Sequence, residues 1–119
     1  MKTKKIAVFG DSILDSFTFY LSNRMSPEAP VPVIEHSNKN YFPGGAALTS
    51  AKLAFYKNHV DLYTQVGKDR YGEILNDTLG KVKVINFGST NYSTILKNKI
   101  IVNNKYHLRE DLEFFSEPN

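Results

Sequence analysis

The chain has 119 residues, no cysteine, 41% hydrophobic and 23% charged residues, and a formal net charge of +3. That is enough chain for one domain with a core, and it excludes disulfide staples and thiolate chemistry. Lys and Arg are interspersed with Asp and Glu, unlike the basic stripe of a nucleic-acid footprint, and no apolar run approaches the roughly 20 residues of a spanning helix.

In chain order, the basic start runs into Ile6 to Phe9 and is cut short by Gly10 and Asp11, without the cleavage site of a signal peptide. The continuous apolar run predicts a strand buried on both faces, at the centre of a parallel sheet. From Phe17 the pattern alternates, with Phe17, Phe19 and Leu21 set against Ser16, Thr18 and Tyr20, which predicts a strand covered on one side. Val31 to His36 alternates less cleanly. Pro30 and Pro32 cannot donate to a ladder, so this strand is expected at an edge or in extended polyproline geometry. Two half-exposed strands beside a buried one predict a flap on a sheet.

"YFPGGAALTSAKLAFY" enters a helix of about three turns through Pro43, Gly44 and Gly45, with Ala47, Ala51, Ala54 and Phe55 at helical spacing. A strand follows with Val60, Leu62 and Val66 as its apolar positions, then a helix capped by Asp69 and stopped by Gly80. "KVKVINFG" is a short strand, and "STILKNKIIVNNKYHLREDLEFF" reads as two strands joined by a turn at Asn103 and Asn104. The order predicts an α/β fold, a partly parallel sheet with flanking helices and an added β layer.

Gly10, Asp11 and Asp15 stand at the carboxyl end of the first strand, where open α/β sheets bind ligands. Either these carboxylates accept hydrogen bonds from sugar hydroxyls, or Asp11 caps a turn and Asp15 is solvated. Gly44 and Gly45 either open backbone N–H groups to an anion or hydroxyl or are a turn pair. Lys97, Lys99 and Arg109 form either a polar strand face or a phosphate clamp. His36, His59 and His107 lack metal-ligand spacing, and Tyr41, Phe42, Phe55 and Tyr56 read as core and rim. Neither G-x-G-x-x-G nor G-x-x-x-x-G-K-[ST] is present.

Taken together, "GDSILD" at 10–15, "RMSPEAPVPVIE" at 24–35, "PGGAA" at 43–47, "VGKDRYGE" at 66–73, "TILKNK" at 94–99 and "LRED" at 108–111 resemble the N-terminal part of the ribokinase-like (PfkB) carbohydrate kinases. The subgroup most resembled is the heptose 7-phosphate kinases of bacterial lipopolysaccharide-core synthesis. The resemblance implies that residues 1–119 are the N-terminal part of a single kinase domain, with lid strands at about 15–40 and prolines that pre-form the lid. It implies that Asp15 holds sugar hydroxyls, that Gly44 and Gly45 shape the pocket floor, and that Asp11 supports the same turn. Arg24, Lys97, Lys99 and Arg109 are then contacts to a sugar phosphate.

The family reaction transfers the γ-phosphoryl group of ATP, with Mg²⁺, to a sugar hydroxyl. Its catalytic base lies in a Gly-Ala-Gly-Asp motif that this sequence lacks. No catalytic or metal residue is therefore expected here, and ATP and Mg²⁺ are not expected to bind this chain alone. Leu48 stands where the family usually has a sugar-contacting Asn, and Lys68 where an acidic residue is common. The expected partner is a small sugar phosphate, with neither nucleic acid nor membrane. The alternative is a non-catalytic sugar-binding or dimerisation module, with a homodimer through the lid strands. Cytoplasm is the expected location, since an absence of cysteine fits a reducing compartment.

Overall fold

The computed structural model describes residues 2–113. Its elements are β1 (Lys5–Phe9), β2 (Ser12–Met25), β3 (Pro32–Gly45), α1 (Ala46–Phe55), β4 (His59–Thr64), α2 (Arg70–Leu79), β5 (Lys83–Asn86), β6 (Ile95–Val102) and β7 (Lys105–Leu112). The predicted extension of the last strand to Phe114 and Phe115 lies outside the described residues.

The strands form two sheets. One is three-stranded and parallel, in the order β1-β4-β5; the other has the order β3-β2-β6-β7, with β2 and β6 parallel and the outer pairs antiparallel. Helix α1 packs on β1, β3 and β4, and α2 packs on β2, β3 and α1. The core lies where the sheets meet: Val60 and Leu62 of β4, Leu14 of β2, Leu96 of β6, Ala47 of α1, and Leu75 and Leu79 of α2. The sheets are joined at the turn after β1, where the Gly10 N–H donates to the Tyr63 carbonyl at 3.2 Å. The Thr64 hydroxyl donates to the Gly10 carbonyl at 2.7 Å and stands 2.8 Å from the Ser12 hydroxyl. The molecule is a slab of 59 × 44 × 17 Å.

The proline-bearing strand sits at a sheet edge as expected, with Pro32 as its first residue. Helix α2 is capped by Asp69 and ends at Gly80. Asn103 and Asn104 take φ values of 49° and 65°, the left-handed pair that a two-residue hairpin turn between β6 and β7 requires.

One expectation is corrected, and another, that β2 is covered on one side, holds with the polar side as the covered one. β1 is an edge strand rather than a central one. Its Ile6 and Val8 share a face with Val60 and Leu62, but Lys5, Ala7 and Phe9 share the opposite face with His59, Asp61 and Tyr63. No described element covers that second face, so Phe9 stacks on Tyr63 at 4.5 Å and stays 72% exposed.

On β2 the buried face carries Ser12, Leu14, Ser16 and Thr18, while Phe17 and Phe19 are half-buried and Leu21 is exposed. The polar face is buried because it is satisfied. Ser16 and Thr18 both donate to Asn98 Oδ1 at 2.7 Å, which removes the penalty for drying two hydroxyls.

Candidate functional site

The four-stranded sheet presents its other face as a ladder of paired residues. On the first rung Ile13 lies between Gly44 and Ile95; on the second Asp15 lies between Phe42 and Lys97, with Asp111 beyond Lys97; on the third Phe17 lies between Asn40 and Lys99, with Arg109 beyond Lys99. Residues opposite one another in register point to the same side of a sheet. Alternation in the strands therefore brings Asp15, Gly44, Lys97, Lys99 and Arg109 onto one face.

The Asp15 carboxylate fills the space that a side chain at Gly44 would need. A Cβ placed there would stand 2.5 Å from Asp15 Oδ2 and 3.3 Å from Cγ. Next to it, Gly45 has a φ of 60°, and its own Cβ would stand 2.5 Å from the Asp11 carbonyl oxygen. That carbonyl accepts the Ala46 N–H at 2.9 Å. Asp11 thus supports the entry to α1 through its backbone, with the residue itself exposed.

The cations differ in what they are free to do. Arg109 is held by Asp111 in a forked pair, Nε to Oδ1 at 2.9 Å and Nη2 to Oδ2 at 3.0 Å, so its charge is largely matched. Lys99 Nζ lies 4.7 Å from the Phe17 ring centroid. Among the described residues neither Lys97 nor Lys99 has a carboxylate within 4.0 Å, although in register Lys97 stands between Asp15 and Asp111. Arg24 is elsewhere. It lies nine positions along β2 from Asp15, roughly 30 Å away at strand spacing, where it pairs with Glu35 at 4.0 Å.

A clip below the ladder fixes the start of β6. Asp69 Oδ1 accepts the Gly72 N–H at 2.7 Å and the Thr94 hydroxyl at 2.8 Å, Oδ2 accepts the Thr94 N–H at 3.0 Å, and the Gly67 N–H donates to Thr94 Oγ1 at 2.9 Å. Burial pushes the Asp69 carboxyl up, but the bonds from Thr94 and Gly72 outweigh it and hold the group below the usual carboxylate range. Lys97 follows three residues after this anchor.

Sequence reasoning missed Phe42. Read as core or rim, it is 50% exposed on the rung of Asp15, and of the four aromatics so read only Tyr41 packs against the core. The signal was available in the two-residue spacing of Asn40, Phe42 and Gly44. Among the described residues no three His, Cys, Asp or Glu side chains stand together as a metal would need, and no helix is long and apolar enough to cross a membrane.

No protein-family model matches the chain. The bifunctional protein HldE of Vibrio atlanticus is 36% identical over 110 residues, covering 91% of this chain and 23% of the relative. That of Haemophilus influenzae is 37% identical over 114 residues, covering 94% and 24%. Over nearly all of its own length the chain is similar to these HldE proteins. It spans less than a quarter of the length of these curated relatives.

Solved structures also resemble the chain over nearly all of its length. A carbohydrate kinase from Agrobacterium tumefaciens matches with a TM-score of 0.71 and 17% identity, covering 92% of this chain and 35% of that one. Arabidopsis thaliana ribokinase, complexed with ribose and ATP, matches with a TM-score of 0.60 and 16% identity, covering 94% and 36%. The fold is ribokinase-like.

Proposed function

We propose that this chain is the sugar-binding, lid-bearing N-terminal part of an ATP-dependent carbohydrate kinase domain acting on a heptose phosphate or a related sugar. The observation that carries this reading is the seating of the Asp15 carboxylate over Gly44, on the same face as Lys97 and Lys99. Asp15 accepts hydrogen bonds from sugar hydroxyls, charge-assisted and therefore strong. Lys97 and Lys99 attract the sugar's phosphate, and the four-stranded sheet serves as the lid, stiffened by Pro32 and Pro43 along β3.

ATP with Mg²⁺ supplies the phosphoryl group in this reaction class. At the start of α1 the Ala46 N–H is bonded to the Asp11 carbonyl, and no side chain caps the helix. No step through ATP is derived from this chain. Catalysis requires a complementing segment with the base and nucleotide site.

The test is ATP-dependent phosphorylation of D-glycero-D-manno-heptose 7-phosphate by the chain alone and after mixing with the remaining part of Haemophilus influenzae HldE. Turnover is expected only in the mixture and is expected to vanish with Asp15→Asn. Turnover by the chain alone overturns the proposal.

A second reading, a dimerisation module, draws on a groove at the far end of the four-stranded sheet. This cavity of about 350 Å³ is lined by Pro32, Ile34, Ile100, Val102 and Leu108 among others, apolar surface that a second copy would cover. A stable dimer in light scattering, with no turnover even in the mixture, favours that reading.

A further inference from the structure

The geometry points to Phe42 as a platform on which the apolar face of the bound sugar packs, so that the site takes the sugar as a closed ring rather than an open chain. This rests on the sugar-site reading above. Phe42 stands on the rung of Asp15, about 5 Å away at the Cβ atoms as paired residues do. That separation is close to the width of a sugar ring.

Phe42 has no role in the core. Its neighbour Tyr41 packs there, whereas half of Phe42 is in water, in a stretch of β3 that is otherwise polar, from His36 to Asn40. Its orientation is nevertheless set, because Phe17 meets it at 5.7 Å with the rings 82° apart, the edge-to-face arrangement that aromatic pairs prefer. Phe17 already carries the Lys99 ammonium at 4.7 Å. The available aromatic surface at this rung is therefore that of Phe42.

A closed sugar ring has what these groups require. One face presents C–H groups that pack on an aromatic ring, and the rim presents hydroxyls that reach a carboxylate beside it. An open-chain polyol has the same hydroxyls but no flat C–H face, and it loses more rotational freedom on binding. With the C–H face on Phe42 and the rim on Asp15, the anionic group of the sugar falls on the far side of Asp15, where Lys97 stands.

The experiment titrates the full chain, by NMR, with D-glycero-D-manno-heptose 7-phosphate and with the heptitol 7-phosphate made from it by reduction. Wild type, Phe42→Ala, Phe42→Leu, Phe42→Tyr and Asp15→Asn are compared, with circular dichroism as the check on folding. Wild type is expected to prefer the ring form about tenfold, a factor typical of one aromatic contact. Phe42→Ala and Phe42→Leu lose that preference, Phe42→Tyr keeps it, and Asp15→Asn weakens both ligands. Leu retains apolar bulk without a flat ring, so the inference remains testable even where the Ala variant does not fold.

If Phe42→Leu leaves the preference intact, or weakens both ligands alike, the platform is refuted while an effect of Asp15→Asn keeps the sugar site standing. If wild type binds neither ligand, the sugar-site reading fails and the inference fails with it.

Discussion

The Asp15 carboxylate lies where Gly44 has no side chain, close enough that even a methyl group at Gly44 would displace it. Gly44→Ala is therefore expected to reduce sugar binding by about tenfold or more, as Asp15→Asn does, since either change disrupts charge-assisted hydrogen bonds to the ligand. The double variant is expected to bind no worse than the poorer single one. An additive loss in NMR titration would show that the two positions act separately.

Asp69 and Thr94 join the start of α2 to the start of β6. Removing either partner, as Asp69→Ala or Thr94→Val, is expected to cost about 1–2 kcal/mol in urea denaturation, the range of a lost cap or a charge-assisted bond. The folded-state pKa of Asp69 is lowered. Its contribution is thus present above the unfolded carboxylate value of about 4 and is lost as pH falls through the folded value. The stability gap between wild type and Asp69→Asn should narrow below about pH 4, and a gap that widens there would contradict this assignment.

Asn98 is the shared acceptor for Ser16 and Thr18. Asn98→Ala leaves two buried hydroxyls without a partner and is expected to destabilise by about 1–3 kcal/mol. The triple replacement Ser16→Ala, Thr18→Val, Asn98→Leu removes all three polar groups and should recover much of that loss. Calorimetry on the single and triple variants distinguishes a polar penalty from a packing defect, because a packing defect would persist in the triple.

The two turn asparagines are not equivalent. Both have positive φ, but the Asn103 side chain also binds the backbone of Ser22, accepting its N–H at 3.0 Å and donating to its carbonyl at 2.8 Å. Asn104→Gly is expected to stabilise the hairpin by roughly 0.5–1 kcal/mol. Asn103→Gly is expected to destabilise, since it loses both bonds to β2. Thermal melts of the two variants should move in opposite directions.

Local chemistry was legible in the sequence. Asp69 as a cap, Gly80 as a stop, the Asn103-Asn104 turn and the edge position of the proline strand each follow from one residue's backbone preference. The two sides of β2 were not legible. Phe17, Phe19 and Leu21 look like a buried face by hydropathy, and the reversal depends on Asn98, a partner 80 or more positions away.

β1 misleads for a related reason: its apolar run is what a central parallel strand requires, yet one face of its sheet is bare among the described residues. At the site, Asp15 and the glycines were visible as a motif. The ladder that aligns them with Phe42, Lys97 and Lys99 exists only once the register of β3, β2 and β6 is fixed.

A slab 17 Å thick holds little more than one helix layer against one sheet layer, so much of its apolar surface is already wet before it unfolds. The denaturant slope and the heat-capacity increment both scale with newly uncovered surface. Both should fall below the values usual for a chain of 119 residues. The melting curve should be broad, and the folded population should change only gradually with temperature or urea.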